Sequence, residues 1–289
     1  VLQRRAYRTA RRAARPLEAP FKSVGPVILR GPRLAFEYPI VRKIGAALIA
    51  VVVAGAAVLG AWRLWLLLAQ LGWREWAALA GAAGLTFVRV MGAVFLSTLW
   101  TVPAGVVIGR SPRLARALQP VIQVVASFPA PMLFPLVILL LARAGVGLGL
   151  GAVVLMVLAG QWYILFNVIS AVAAIPQQLK EATTVFRLPR VARWRLLYLP
   201  AAFPALITGW VTAAGGAWNG SIVAEYIEAG GALRTTRGLG SLISEATAHA
   251  NFPLLAGGIA LMSLIVVSWN RLVWRALMQW AQERFGMAT

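Results

Sequence analysis

Long apolar stretches set the reading of this chain. Crossing a hydrocarbon core of about 30 Å takes roughly 20 helical residues. Six apolar runs approach or exceed that length: Ile44–Trp62, Val90–Gly109, Ala117–Ala142, Gly151–Ala171, Pro200–Ala224 and Pro253–Val273. None carries a charge except at the end of the last. They are apolar all round rather than on one stripe, as burial in protein or lipid requires. The pattern predicts an all-α integral membrane protein of about six transmembrane helices. The third run contains Pro120, Pro129, Pro131 and Pro135, which predicts a kinked or broken span held by its neighbours. Trp62, Trp65, Trp73 and Trp76 follow the first run and suit a membrane interface.

The segment Ile175–Pro200, between the fourth and fifth runs, is too long for a minimal turn. Pro176 can open a helix that continues from Gln177 to Phe186. Pro189 interrupts it, and Arg190 to Tyr198 can form a second short helix before Pro200 starts the next span. This is a helix-turn-helix on the membrane surface, offering Phe186, Leu188, Trp194 and Leu197 to a partner's groove. An amphipathic loop resting on lipid headgroups is the plainer reading of the same pattern.

Charge orients the spans. Of 28 Lys+Arg, eleven precede or include Lys43, three lie in Arg110–Arg116, five in Lys180–Arg195 and three at or beyond Arg271. If six spans alternate, all of these share one side, and the positive-inside rule makes that side cytoplasmic, with both termini. The chain divides into a basic N-terminal arm (1–43), a transmembrane domain (44–278) and a C-terminal tail (279–289). The arm has no early apolar run before a small-residue cleavage site, so it does not read as a secretory signal peptide. It can lie on anionic lipid, where each basic residue contributes about 1 kcal/mol, or remain a solvated tail. Val1 in place of Met fits either an alternative start codon or a boundary within a longer chain.

Composition then removes whole classes of function. The net charge of +20 would suit a nucleic-acid binder, but 60% hydrophobic residues and 12% charged ones do not describe a soluble fold with a basic face. There is no cysteine, every acidic residue is Glu, and the one histidine is His249, read as a surface or packing residue. Hydrolytic triads and metal sites therefore lack their parts. Lys22, Lys43 and Lys180 stand in no phosphate-cradling GxxxxGK[ST] loop. The chain reads as no enzyme and as holding no cofactor of its own.

Polar residues at membrane depth are costly and usually face protein or a watery cavity. Gln123, Ser127, Gln161, Asn167, Asn219, Ser221 and Glu225 are the candidates for a translocation path, with Glu225 at its outer mouth. Hydrogen bonds between helices are the alternative for each.

Glu181-Ala182, Leu197 and Leu199-Pro200 stand at the spacing of the EAA loop, and the segment resembles that loop of ATP-binding-cassette importer permeases. The pattern is Glu-Ala-Ala, three residues, Gly, nine residues, an aliphatic residue, one residue, Leu-Pro. Thr183 replaces the second Ala, and Arg187 replaces Gly, so the turn does without glycine's freedom at positive φ. Thr86–Val90, Gly109–Pro112, Gln119-Pro120, Phe128–Pro131 and Ile222–Glu225 are similar to the nitrate, sulfonate, taurine and bicarbonate branch. Gly215–Tyr226 resembles the second module of fused double permeases, and the family-like core runs from about 86 to 276.

The resemblance implies a permease subunit in the bacterial inner membrane. It implies a second permease module on the same or another chain, cytoplasmic ATPases that bind ATP and Mg, and a periplasmic solute-binding protein. The solute is a small one, an anion of the nitrate, sulfonate or taurine type by branch. The loop would act as coupling helices, with Glu181, Ala182, Thr183, Phe186, Arg187, Arg190, Leu199 and Pro200 at the ATPase contact. A membrane scaffold, or a degenerate pseudo-symmetric partner without its own solute path, is the rival reading, and Arg187 in the glycine place keeps the degenerate partner open.

Overall fold

A computed structural model describes residues 39–229 and 231–285. Residues 1–38, most of the basic arm with its expected lipid contact, and residues 286–289 of the tail lie outside the described residues. The chain divides after Gly60 into two units. Helix α1 (Pro39–Leu68) belongs to the first through that glycine. Over this part Ile44, Leu48, Ile49, Val51, Val52, Val53, Val58 and Leu59 are all exposed, a surface suited to hydrocarbon and not to water.

The second unit continues with α2 (Trp73–Gly109), α3 (Pro112–Ser127), α4 (Ala130–Arg143), α5 (Leu148–Ala173), α6 (Gln177–Val185) and α7 (Arg190–Arg193). A π-helical turn, Trp194–Tyr198, leads from α7 into α8 (Leu199–Ala224). Two short strands follow, β1 (Tyr226–Ala229) and β2 (Ala232–Thr235), then α9 (Leu239–Ala248) and α10 (Phe252–Trp269). A second π-helical turn, Asn270–Trp274, joins α10 to α11 (Arg275–Phe285).

Among the described residues five helices are long and apolar enough to cross a membrane, and the bent pair α3–α4 makes a sixth if it counts as one span. The predicted all-α membrane architecture is the observed one, with five or six candidate spans. The break expected from the prolines is a bend of 82° at Phe128-Pro129. Phe128 takes an extended conformation (φ −71°, ψ 127°), because a residue before proline is driven out of the helical region.

Three features go beyond the apolar pattern. Helix α2 begins at Trp73 rather than near Val90, because the charges within it do not end it. Glu75 at its third position accepts the Gly72 amide at 2.7 Å, and Arg89 is buried and paired. Residues 279–285, assigned to the tail, are helical, and Trp280 and Phe285 pack edge-on against Phe203 of α8 at 5.8 and 5.6 Å. Strands β1 and β2 form an antiparallel hairpin in register Tyr226↔Thr235 to Ala229↔Ala232, with Gly231 at φ 73° in its turn.

The core lies where α5 packs on α2 and α8, around Leu155, Met156, Ile164, Val168 and Ile207. With lipid outside, such pairs gain little from the hydrophobic effect and depend on close backbone approach. A Cβ on Gly160 would stand 2.9 Å from the Ala213 carbonyl oxygen. Gly160→Val should therefore cost about 1–3 kcal/mol through overpacking. Gly92→Ala, which meets nothing within 4 Å, should leave the thermal midpoint in detergent unchanged or raise it.

Candidate functional site

The connection between α5 and α8 is built to hold a tight exposed turn. The Pro176 carbonyl starts α6 by accepting the Leu179 and Lys180 amides at 3.1 and 3.4 Å. At the other end the Arg187 amide donates to the Thr184 carbonyl and the Leu188 amide to the Thr183 carbonyl, both at 3.0 Å. This pair of bonds is the Schellman closure, which needs a left-handed residue after the helix. Arg187 is that residue, at φ 49°, in the place where the resembled pattern has glycine. Arg193 Nε donates to the Leu188 carbonyl at 2.9 Å and ties α7 back to the turn. A left-handed L-residue costs about 1–2 kcal/mol. Arg187→Gly should therefore raise the thermal midpoint, by about 2–4 °C per kcal/mol gained.

Of the residues expected at a partner contact, Glu181, Phe186, Arg187, Arg190 and Leu199 are exposed, Ala182 and Pro200 are half-buried, and Thr183 is buried. Glu181 accepts a hydrogen bond from Gln177 at 3.1 Å, and the Thr183 hydroxyl donates to the Lys180 carbonyl at 2.7 Å. Phe186 is 75% exposed. Trp194 and Leu197, expected to face a partner, pack instead against the chain's own core, and Leu188 is half-buried. Val185, Val191 and Leu196 take their place on the open face.

The second short helix does not stop before Pro200 but runs on into α8. The π-helical turn reconciles the two, since the Leu199 amide reaches the Trp194 carbonyl just where proline lacks an N–H for the regular ladder.

At the α3–α4 break a cavity of about 430 Å³ opens beside α5 and α8. Ser127, Phe128, Trp162, Tyr163, Phe166 and Asn219 are among its lining, which includes no charged side chain. Of the seven polar candidates, Ser127 and Asn219 meet here. The Ser127 hydroxyl donates to the Val124 carbonyl at 2.7 Å, while Asn219 is exposed. Gln123 lies exposed on α3, and Gln161 is buried on α5. The Asn167 amide donates to the Tyr163 carbonyl at 2.8 Å. The Ser221 hydroxyl is buried and donates to the Trp218 carbonyl at 2.7 Å.

Glu225 lies outside that lining, fully buried at the end of α8. Its carboxylate accepts the Arg89 Nη1 donor at 2.8 Å and the Gly240 amide at 2.9 Å, and the Thr86 hydroxyl stands 2.9 and 3.0 Å from its two oxygens. Thr86 in turn accepts the Leu239 amide at 2.8 Å. Arg89 also donates to the Arg237 carbonyl at 2.8 Å and to the Thr236 hydroxyl at 3.1 Å. The carboxylate thus fastens α2, α8 and the start of α9. A side chain on Gly240 would run into the Ser221 carbonyl, so the approach of α9 to α8 requires glycine there.

Sequence reasoning did not assign roles to Thr86, Arg89 or Gly240. The available signal was Arg89 itself, a charge inside an apolar helix that needs a buried partner. His249 is exposed at the C-terminal end of α9. Among the described residues no three His, Cys, Asp or Glu side chains cluster in a way that could hold a metal.

Comparison with known proteins bears on this geometry. The family model described as "Binding-protein-dependent transport system inner membrane component" matches residues 101–275. The chain is 28% identical over 184 residues to the taurine transport system permease protein TauC of Escherichia coli K12, a match covering 64% of this chain and 62% of that protein. It is 28% identical over 142 residues to the bicarbonate transport system permease protein CmpB of Synechocystis, covering 49% of each. The matched region thus spans less than two thirds of these relatives' length. The fold is similar to that of a chain in the MetNI methionine ABC transporter solved in inward-facing conformations. That likeness has a TM-score of 0.60 at 18% identity and covers 73% of this chain and 99% of that one.

Proposed function

Because the chain belongs to the binding-protein-dependent transport system inner membrane components, we propose that it is the permease subunit of an ATP-binding-cassette importer, coupled through α6 and α7. The carrying observation is the α6 turn, which holds Val185 and Phe186 open to solvent on a short helix in the connection between α5 and α8. A cytoplasmic ATPase that grips this turn would move α5 and α8 with it, because both ends of the loop are continuous with core helices. Closing and opening the ATPase dimer then shifts packed spans as a rigid body. ATP and Mg belong to that partner. Glu181, Ala182, Thr183, Phe186, Arg187, Arg190, Leu199 and Pro200 form or support the contact. The turn keeps its left-handed closure with arginine in the glycine place, which favours a working coupling loop over a degenerate one.

The chain works with a second permease module and a periplasmic solute-binding protein in a bacterial inner membrane, both termini cytoplasmic. Ser127 and Asn219 contribute the polar part of its solute path, with Gln123 on the same helix as Ser127 and Gln161 and Asn167 on the neighbouring α5. The solute is a small anion, a reading supported by relatives named for taurine and bicarbonate transport. The cavity offers that solute neutral hydrogen-bonding and aromatic groups and no fixed counter-charge.

The test is coexpression with a candidate ATP-binding-cassette ATPase, followed by uptake in vesicles. The expected result is ATPase copurification and nucleotide-dependent uptake of taurine, nitrate or bicarbonate with the cognate binding protein. A chain that recruits an ATPase but moves no solute would be a scaffold.

A further inference from the structure

Four arginines from two separate stretches of chain line one open cavity of about 610 Å³. Arg110, Arg113 and Arg116 come from the α2–α3 turn and the start of α3, Arg193 comes from α7, and Ser111 and Tyr198 are also in the lining. The one ion pair among the described residues is Arg89 with Glu225, so no described carboxylate stands within salt-bridge reach of the four. Two of them are aimed by their own backbone. Arg116 Nε donates to the Pro112 carbonyl at 3.2 Å and Arg193 Nε to the Leu188 carbonyl at 2.9 Å. The terminal nitrogens, part of a guanidinium fork that matches phosphate oxygens, have no hydrogen-bond partner among the described residues. Like charges gathered around one cavity repel until an anion enters it.

We infer that this cavity binds the phosphate of an anionic phospholipid headgroup. Its position favours a lipid over a free ion or an acidic peptide. The cavity sits where α2 ends and where the π-helical turn enters α8, at the ends of two apolar helices. From the cavity end onward, α3 leaves Leu114, Leu118, Val121 and Val125 exposed, and their spacing of four, three and four residues makes one apolar stripe along the helix. A headgroup joined to acyl chains complements both the basic cavity and this stripe, whereas inorganic phosphate or a carboxylate complements only the first. A bound headgroup would also bridge the α2–α3 turn to α7, at the base of the loop that carries Phe186.

The test compares the full-length protein and Arg113→Gln/Arg193→Gln, one arginine from each stretch, in nanodiscs of phosphatidylcholine alone or mixed equally with phosphatidylglycerol. Bound phosphatidylglycerol is counted by native mass spectrometry. Retention should weaken by about fivefold per arginine removed, while Arg275→Gln/Arg284→Gln on α11 retains as much as the unaltered chain. If the double variant does not fold, the single variants Arg113→Gln and Arg193→Gln carry the same comparison. Unchanged retention overturns the site. Equal thermal protection by inorganic phosphate without lipid overturns the lipid assignment. Loss of ATPase copurification with phosphatidylglycerol retention intact overturns it in favour of an acidic protein surface.

Discussion

Glu225→Ala should destabilise the protein by about 3–5 kcal/mol, because it leaves the Arg89 guanidinium buried without its carboxylate. Tryptophan fluorescence during thermal or denaturant unfolding in detergent reads this directly. The same loss is expected of Arg89→Ala, since Glu225 is 0% exposed and has no route to solvent. Replacing both together, as Arg89→Met/Glu225→Leu, should recover a large part of the deficit, because an apolar pair of similar volume is often no worse than a buried ion pair. Recovery will be incomplete, since the Gly240 amide loses its acceptor and the Thr86 hydroxyl its carboxylate partner. Two single variants as unstable as described, with a double variant far less so than their sum, identify a latch between α2, α8 and α9. If Glu225 instead meets solute at an outer mouth, Glu225→Gln should cut uptake while leaving the unfolding midpoint in place.

That contrast shows what the sequence could and could not disclose. The spans were legible because lipid demands apolar residues on every face of a helix, and the α3–α4 break because Phe128 precedes a proline. Glu225 stood out as a charge at depth, but hydropathy does not say which of the distant cations meets it. Arg89 even concealed itself, since a charge in an apolar run reads as the run's end until its partner is known. In the sequence, Gly230-Gly231 is a recognisable hairpin signal. Its strands are only four residues long, too short for any hydropathy window. At the loop, spacing identified Arg187 as the glycine position, but only φ 49° reveals that arginine adopts the glycine conformation. Trp194 and Leu197 misled because the π-helical turn before Pro200 shifts the helical phase, and a 3.6-residue count cannot anticipate a one-residue insertion.

Phe186→Ala should lower affinity for the ATPase by about 2–4 kcal/mol, roughly thirtyfold or more, if the α6 turn is the coupling contact. The side chain is 75% exposed, so its loss removes little from the chain's own packing, and the unfolding midpoint should scarcely move. Trp194→Ala should show the opposite balance. Its ring packs on the core and against Tyr198 at 6.5 Å, so truncation destabilises the permease first. Ala182→Arg separates docking from mere recruitment. Ala182 is half-buried on the helix that would enter the ATPase groove, where a long cation has neither room nor a partner. Uptake and substrate-stimulated ATP hydrolysis should both fall to background while the permease stays folded. Normal uptake in Ala182→Arg together with unchanged ATPase affinity in Phe186→Ala would remove α6 from the coupling path. The force that moves α5 and α8 would then have to enter elsewhere.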